Sequence, residues 1–141
     1  MTLPLATALA IAQAALDAGR AENVHALTVV VTDTGGHLRV ALRADGVGTF
    51  GVDIAHAKAM TALGFGRSSM QIAKGLGTNP AVVAGLTAAT GGRFLPIGGG
   101  VLIRDATGTL LGAAAAAGSA PENDEKFIVS GVRAAGLVVP D

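Results

Sequence analysis

The residues of this 141-residue chain that can do chemistry are few. Asp53 and His56 stand three apart, a helical spacing that lets a carboxylate orient an imidazole for ligation or proton transfer. Lys58 shares a neighbouring face with Ile54, Thr61 and Phe65, so its ammonium must leave an apolar stripe for water, an acidic partner or a ligand. Arg67, just past Phe65-Gly66, can hold a carboxylate with two parallel hydrogen bonds. Asp124 and Glu125 fall in the first turn of the last helix, where the macrodipole favours acids in any case. If buried beside the glycine loop, either can serve as a general base. Ordinary salt bridges from Lys58 or Arg67 to Asp53, Asp124 or Glu125 account for the same residues equally well.

Of the other histidines, His25 precedes a strand and reads as a surface residue, while His37 follows Gly35-Gly36 beside Asp33, a turn-stabilising place. The chain has no cysteine and no His-x-x-x-His, so no intrinsic metal site is expected. Gly98-Gly99-Gly100 lacks the lysine and hydroxyl of a phosphate loop. It reads instead as the wall of a pocket, with Phe94 and Pro96 as apolar contact surface. The Ala113–Ala117 run offers no bulk, so a neighbour must pack closely on it.

These residues need elements to position them. A first helix starts near Thr2-Leu3-Pro4, repeats Leu5, Leu9, Ala12 and Leu16, and is expected to stop at Gly19. Residues 27–33 and 37–43 form a hairpin, with Leu38, Val40 and Leu42 expected on the core face. A second helix runs from about Val52 to Leu63, ended by Gly64. Ser68 with Gln71 forms a capping box, and Asn79-Pro80 opens a further helix. A second hairpin pairs 101–104 with 109–117. Propensity alone would make the alanine run helical, but glycines at 108, 112 and 118 frame it as a strand. A last helix opens at Ser119-Ala120-Pro121-Glu122 and ends at Gly136. The order predicts one α+β domain with a mostly antiparallel sheet.

Half the residues are apolar, 14% are charged and the formal charge is zero, which argues against disorder and against nucleic acid or anionic membrane as partners. Four phenylalanines are the only aromatics, too few for stacking on single strands. So few charges leave apolar surface that self-association would cover, so a homo-oligomer is expected. The absence of cysteine fits a cytoplasmic protein; residues 3–16 are uncharged, but they lack the basic flank of an export signal and are interrupted by Gln13, so they read as a buried first helix, with an export signal as the alternative.

Five pieces in order, Val31–Leu38, Arg43–Gly46, Asp53–Ala62, Phe65–Arg67 and Pro96–Val101, resemble the GlcG/HbpS-like family of small haem-degradation and haem-binding proteins. Gly112-Ala113, Gly118 and Asp124-Glu125 match that family's last motif. Ala115 and Ala117 replace the usual glycine and serine of that motif. The resemblance implies a five-stranded antiparallel sheet flanked by helices, profilin-like in outline, in an oligomer that binds a small molecule. It makes haem or a related tetrapyrrole the first ligand to consider. Lys58 and Arg67 would then take its carboxylates, and His37 or His56 its iron. The alternative is a cofactor-free enzyme acting by proton transfer or hydrolysis on a small carboxylate-bearing metabolite. There Lys58 and Arg67 would bind the carboxylate, His56, Asp124 or Glu125 would move the proton, and the Gly98–Gly100 amides would hold the oxyanion.

Overall fold

The computed structural model describes residues 2–141. Its elements run α1 (Leu5–Ala21), β1 (Thr28–Thr32), β2 (Leu38–Arg43), α2 (Gly51–Phe65), α3 (Ser69–Lys74), α4 (Pro80–Ala89), β3 (Gly100–Arg104), β4 (Leu110–Ala117) and α5 (Pro121–Ala134). A single 3-10 turn, Leu76–Thr78, joins α3 to α4. The sheet is antiparallel in the order β2-β1-β4-β3.

This is the α+β class expected, but with four strands rather than five. Beyond β3 the ladder continues only as a single bridge between Arg104 and Val138. Pro140 has no N–H with which to extend it. Among the described residues no helix is long and apolar enough to cross a membrane.

Helices cover both faces of the sheet, so β1 is buried throughout and β4 is buried from Leu111 to Ala117. Val29, Val31, Ala114 and Ala116 face α1 and α5, where Ile11, Phe127 and Ile128 complete the larger core. Val30, Ala113, Ala115 and Ala117 face α2 through Ala55 and Ala59. The alanine run thus forms a strand because tertiary packing overrides propensity. With only methyl groups between them, β4 and α2 come into close contact.

Two helix ends differ from expectation. Gly19 does not stop α1; it lies buried inside it, where a Cβ would stand 3.1 Å from Leu27 and from the Val24 carbonyl. The stop is Asn23, at φ 61°, with Val24 N–H closing back onto Gly19 O at 2.9 Å. On α2, Gly66 at φ 68° rather than Gly64 supplies the left-handed cap. The Ser68–Gln71 capping box and the Asn79 cap form as expected. Leu38 is exposed, contrary to the simple alternation, because the β1–β2 register shifts between Val31 and Thr32.

The β3–β4 turn is held by the Asp105 carboxylate, which accepts from Thr107 Oγ1 at 2.6 Å, Thr107 N at 2.9 Å and Thr109 N at 3.0 Å. The Thr107 hydroxyl is the main cause holding this carboxyl below its ordinary 3.8. A depressed carboxyl adds stability above its unfolded pKa and loses it as pH falls through its folded value. Asp105→Ala is therefore expected to flatten the acid limb of the stability–pH curve below about pH 4, read by urea denaturation at stepped pH. An acid limb identical to wild type would show that the turn does not sense this carboxylate.

Candidate functional site

The Lys58 ammonium and the Asp124 carboxylate meet at 3.0 Å, with Lys58 3% and Asp124 1% exposed. Lys58 comes from the middle of α2, and Asp124 from the first turns of α5. The Lys58 ammonium also donates to Ala116 O at 3.2 Å. Asp124 Oδ1 accepts from Ser119 N at 2.9 Å, and Oδ2 from Gly118 N at 3.3 Å. Burial pushes the Asp124 carboxyl above its ordinary 3.8, while the Lys58 charge, its hydrogen bond and the two backbone amides pull the other way.

The glycine loop is moulded around this pair. A Cβ on Gly99, at φ 130°, would stand 2.6 Å from Ala116 O and 3.0 Å from Lys58 Nζ. One on Gly100 would run into the Lys58 carbonyl, and one on Gly98 into Met70. Ser69 Oγ ties the loop down by donating to Ile97 O at 2.6 Å and accepting from Gly100 N at 2.8 Å. Gly99 O receives Ala116 N–H at 3.0 Å.

The pair borders an open cleft of about 470 Å³. Its walls are the Gly46–Gly51 loop, Ile54, Ile97, Ala26 and Ala117, with Gly118 and Ser119 beside Asp124. Phe50, Ile54 and Ile97 are exposed at its mouth, Phe50 to 69%. Clefts of about 300–1,000 Å³ with apolar walls and a few convergent polar groups are the usual form of small-molecule sites.

Of the residues singled out in the sequence, Lys58 and Asp124 line this cleft and the others do not. His56 turns to Gly36 O, Nε2 at 2.8 Å, instead of Asp53, and clamps the β1–β2 turn. His37 is an exposed residue of that turn, its Nδ1 3.3 Å from Asp33 Oδ1. Arg67 is exposed beyond the α2 cap. Glu125 is half-buried; burial raises its carboxyl and Lys74 opposes the rise. Phe94 is buried edge-on against Phe65 at 5.3 Å, and Pro96 packs by Gly77. Gly98, Gly99 and Gly100 are buried behind the pair. The space a ligand would need beside Gly99 and Gly100 is filled by Lys58 and Ala116. Of the three loop amides, Gly100 N–H is already given to Ser69.

The mouth residues Val47, Thr49 and Phe50, and Ser119 beside the pair, were not singled out. The available signal was a phenylalanine set among Gly46, Gly48 and Gly51, in a chain with only four phenylalanines.

Several solved structures share the fold, among them the following three. The chain is 20% identical to a PduOC:heme complex, with TM-score 0.87 and all of both chains covered. It is 28% identical to a double mutant of HbpS from Streptomyces reticuli, with TM-score 0.80, 95% of this chain and 87% of that one. It is 23% identical to the ORFY protein of Klebsiella pneumoniae, with TM-score 0.86, 96% of this chain and 92% of that one. No functionally curated protein matches it. Residues 3–133 match the family described as "Haem degrading protein HbpS-like", and the chain belongs to that family.

Proposed function

We propose that this chain binds a small, largely apolar molecule in the Phe50–Ile54–Ile97 cleft, with haem or a related tetrapyrrole as the first ligand. The observation that carries the reading is the cleft itself: apolar walls around about 470 Å³, with one buried ion pair as its charged feature. The family's description and the heme bound in the PduOC relative support haem as that ligand.

The lining fits the macrocycle better than the iron. Phe50, Ile54 and Ile97 offer apolar contact to a porphyrin face, and Lys58 offers an ammonium to a propionate. No imidazole, thiolate, thioether or phenolate lies among the lining residues. Bound haem supplies iron-centred redox chemistry. This chain's own part is to hold the ring and shield it from water. His37 and His56, being engaged elsewhere, are then not needed for it.

Haemin titration followed at the Soret band tests this. A saturable shift at a fixed ratio per chain is expected, unchanged in His37→Ala and His56→Ala. Phe50→Ala removes apolar contact of about 1–2 kcal/mol and is expected to weaken binding roughly tenfold. A non-saturable response, or equal affinity in Phe50→Ala, would take haem out of the cleft.

A second reading, a cofactor-free enzyme, is favoured by the buried Lys58–Asp124 pair bordering the same cleft. In either case we read the protein as a cytoplasmic homo-oligomer whose contacts cover part of the exposed apolar surface. Light scattering of the purified chain tests the assembly.

A further inference from the structure

We propose that Lys58 and Asp124 form an acid–base pair that moves a proton on the carbon next to a carbonyl group, in a small substrate with an apolar body. This inference deepens the second reading above and assigns it a substrate class and two residues.

An ammonium carries three N–H donors. Ala116 O and Asp124 Oδ2 take two of those on Lys58, and among the described residues nothing accepts the third. The group borders the cleft, so the natural acceptor is an oxygen of whatever lies there. Asp124 Oδ2 is shared by Lys58 and the Gly118 amide, but Oδ1 accepts only from Ser119 N. Oδ1 therefore keeps a lone pair that can take a proton. A donor for a carbonyl oxygen and a carboxylate for the adjacent C–H thus border the same cleft, nearly shut off from bulk water.

Such a pair is hard to explain as a stabilising device. Two apolar side chains of the same volume would be as stable or more so, because both charges must be stripped of water. Electrostatic interactions that water weakens at a surface are stronger in such a place, and they meet charge as it develops.

The step balances without a cofactor. Asp124 Oδ1 takes the proton from the carbon, and the C–H electron pair forms the C=C bond while the carbonyl pair moves onto oxygen. The Lys58 N–H holds that oxygen as an enolate. The Asp124 carboxyl then exchanges that proton with solvent and returns a solvent-derived one to the same carbon, so the carbon-bound hydrogen is replaced with no net change of structure. Alternatively Lys58 gives a proton to the oxygen and regains one from Asp124, leaving the enol. The apolar walls select an alkyl or aryl body, and Phe50 at the mouth suits a flat ring.

Phenylpyruvate is a suitable probe, since its aryl ring matches the walls and its methylene protons are acidic. Exchange of those protons in D2O is followed by NMR with and without the protein. The expected result is exchange about 100-fold faster than in buffer, within the usual range for a positioned acid–base group. Ile54→Trp changes an exposed residue and plugs the mouth. It should return the rate to the buffer value with the thermal unfolding profile unchanged. Asp124→Asn, where it folds, should do the same while keeping the shape of the site.

A wild-type rate equal to buffer overturns the inference, as does full exchange activity in Ile54→Trp. Haemin titration of the same preparation separates the two readings. Saturable haemin binding without exchange overturns the proton-transfer inference alone. Loss of both overturns the inference together with the assignment of the cleft.

Discussion

Lys58→Met is expected to destabilise the protein by about 3–5 kcal/mol, the usual cost of removing one partner from a buried ion pair. For a domain of this size that lowers the melting temperature by roughly 10–17 °C. The loss comes mainly from Asp124, left 1% exposed with only the Gly118 and Ser119 amides. The pH dependence identifies the cause. A carboxyl whose folded pKa is raised contributes stability below its unfolded pKa, and that contribution is lost as pH rises through the folded value. Burial already raises Asp124 above 3.8 in the wild type, and without Lys58 it rises further. The variant should therefore approach wild-type stability in acid and fall away from it toward neutrality. Lys58→Met with Asp124→Leu is expected to recover most of the loss at neutral pH. Urea denaturation of the three proteins at stepped pH measures this. A single variant as stable as wild type at pH 7 would mean the pair is not buried in solution.

Gly100→Ala is the second large effect, with an expected loss of about 3 kcal/mol, the scale of forced overpacking. The new methyl would meet the Lys58 carbonyl and stand 3.1 Å from the Ala59 amide, both backbone groups of a buried helix that cannot turn aside. Relief requires β3 to part from α2, and the Gly100–Ser69 hydrogen bond of 2.8 Å goes with it. Gly85→Ala is the matched control. Gly85 lies inside α4, and a Cβ there would meet nothing within 4 Å. That substitution should raise stability by about 0.5–1 kcal/mol, because alanine favours the helix and narrows the unfolded ensemble. Equal and small effects at both positions would show that the loop does not lie against α2.

What the sequence could show was whatever depends on near neighbours. The Ser68–Gln71 capping box, the Asn79-Pro80 start and both hairpins are carried within a few residues each. The identity of Lys58 as an unusual cation was also legible, since its apolar helical face is local. Its partner was only one of three acids within reach of argument, because 66 residues separate Lys58 from Asp124 and no spacing rule spans that distance. The same limit hid His56. Its i–3 neighbour Asp53 was visible, but the Gly36 carbonyl it meets arrives from the β1–β2 turn, outside its own helix. The glycine loop was read as a pocket wall, yet a missing Cβ does not say what approaches, and here Lys58 and Ala116 take the space. The fifth strand came from family resemblance, and in this chain only Val138 reaches the ladder.

The small residues of the cleft wall have one more consequence, for the thermodynamics of occupancy. Six of the cleft's lining residues are Ala26, Ala117 and the glycines at 46, 48, 51 and 118. None of these side chains has a rotamer to freeze. Ordering long side chains around a guest usually costs about 0.5–1.5 kcal/mol for each one immobilised, and here that penalty falls only on mouth residues such as Phe50 and Ile54. A guest therefore meets a wall much of which has no side-chain entropy to lose when it arrives.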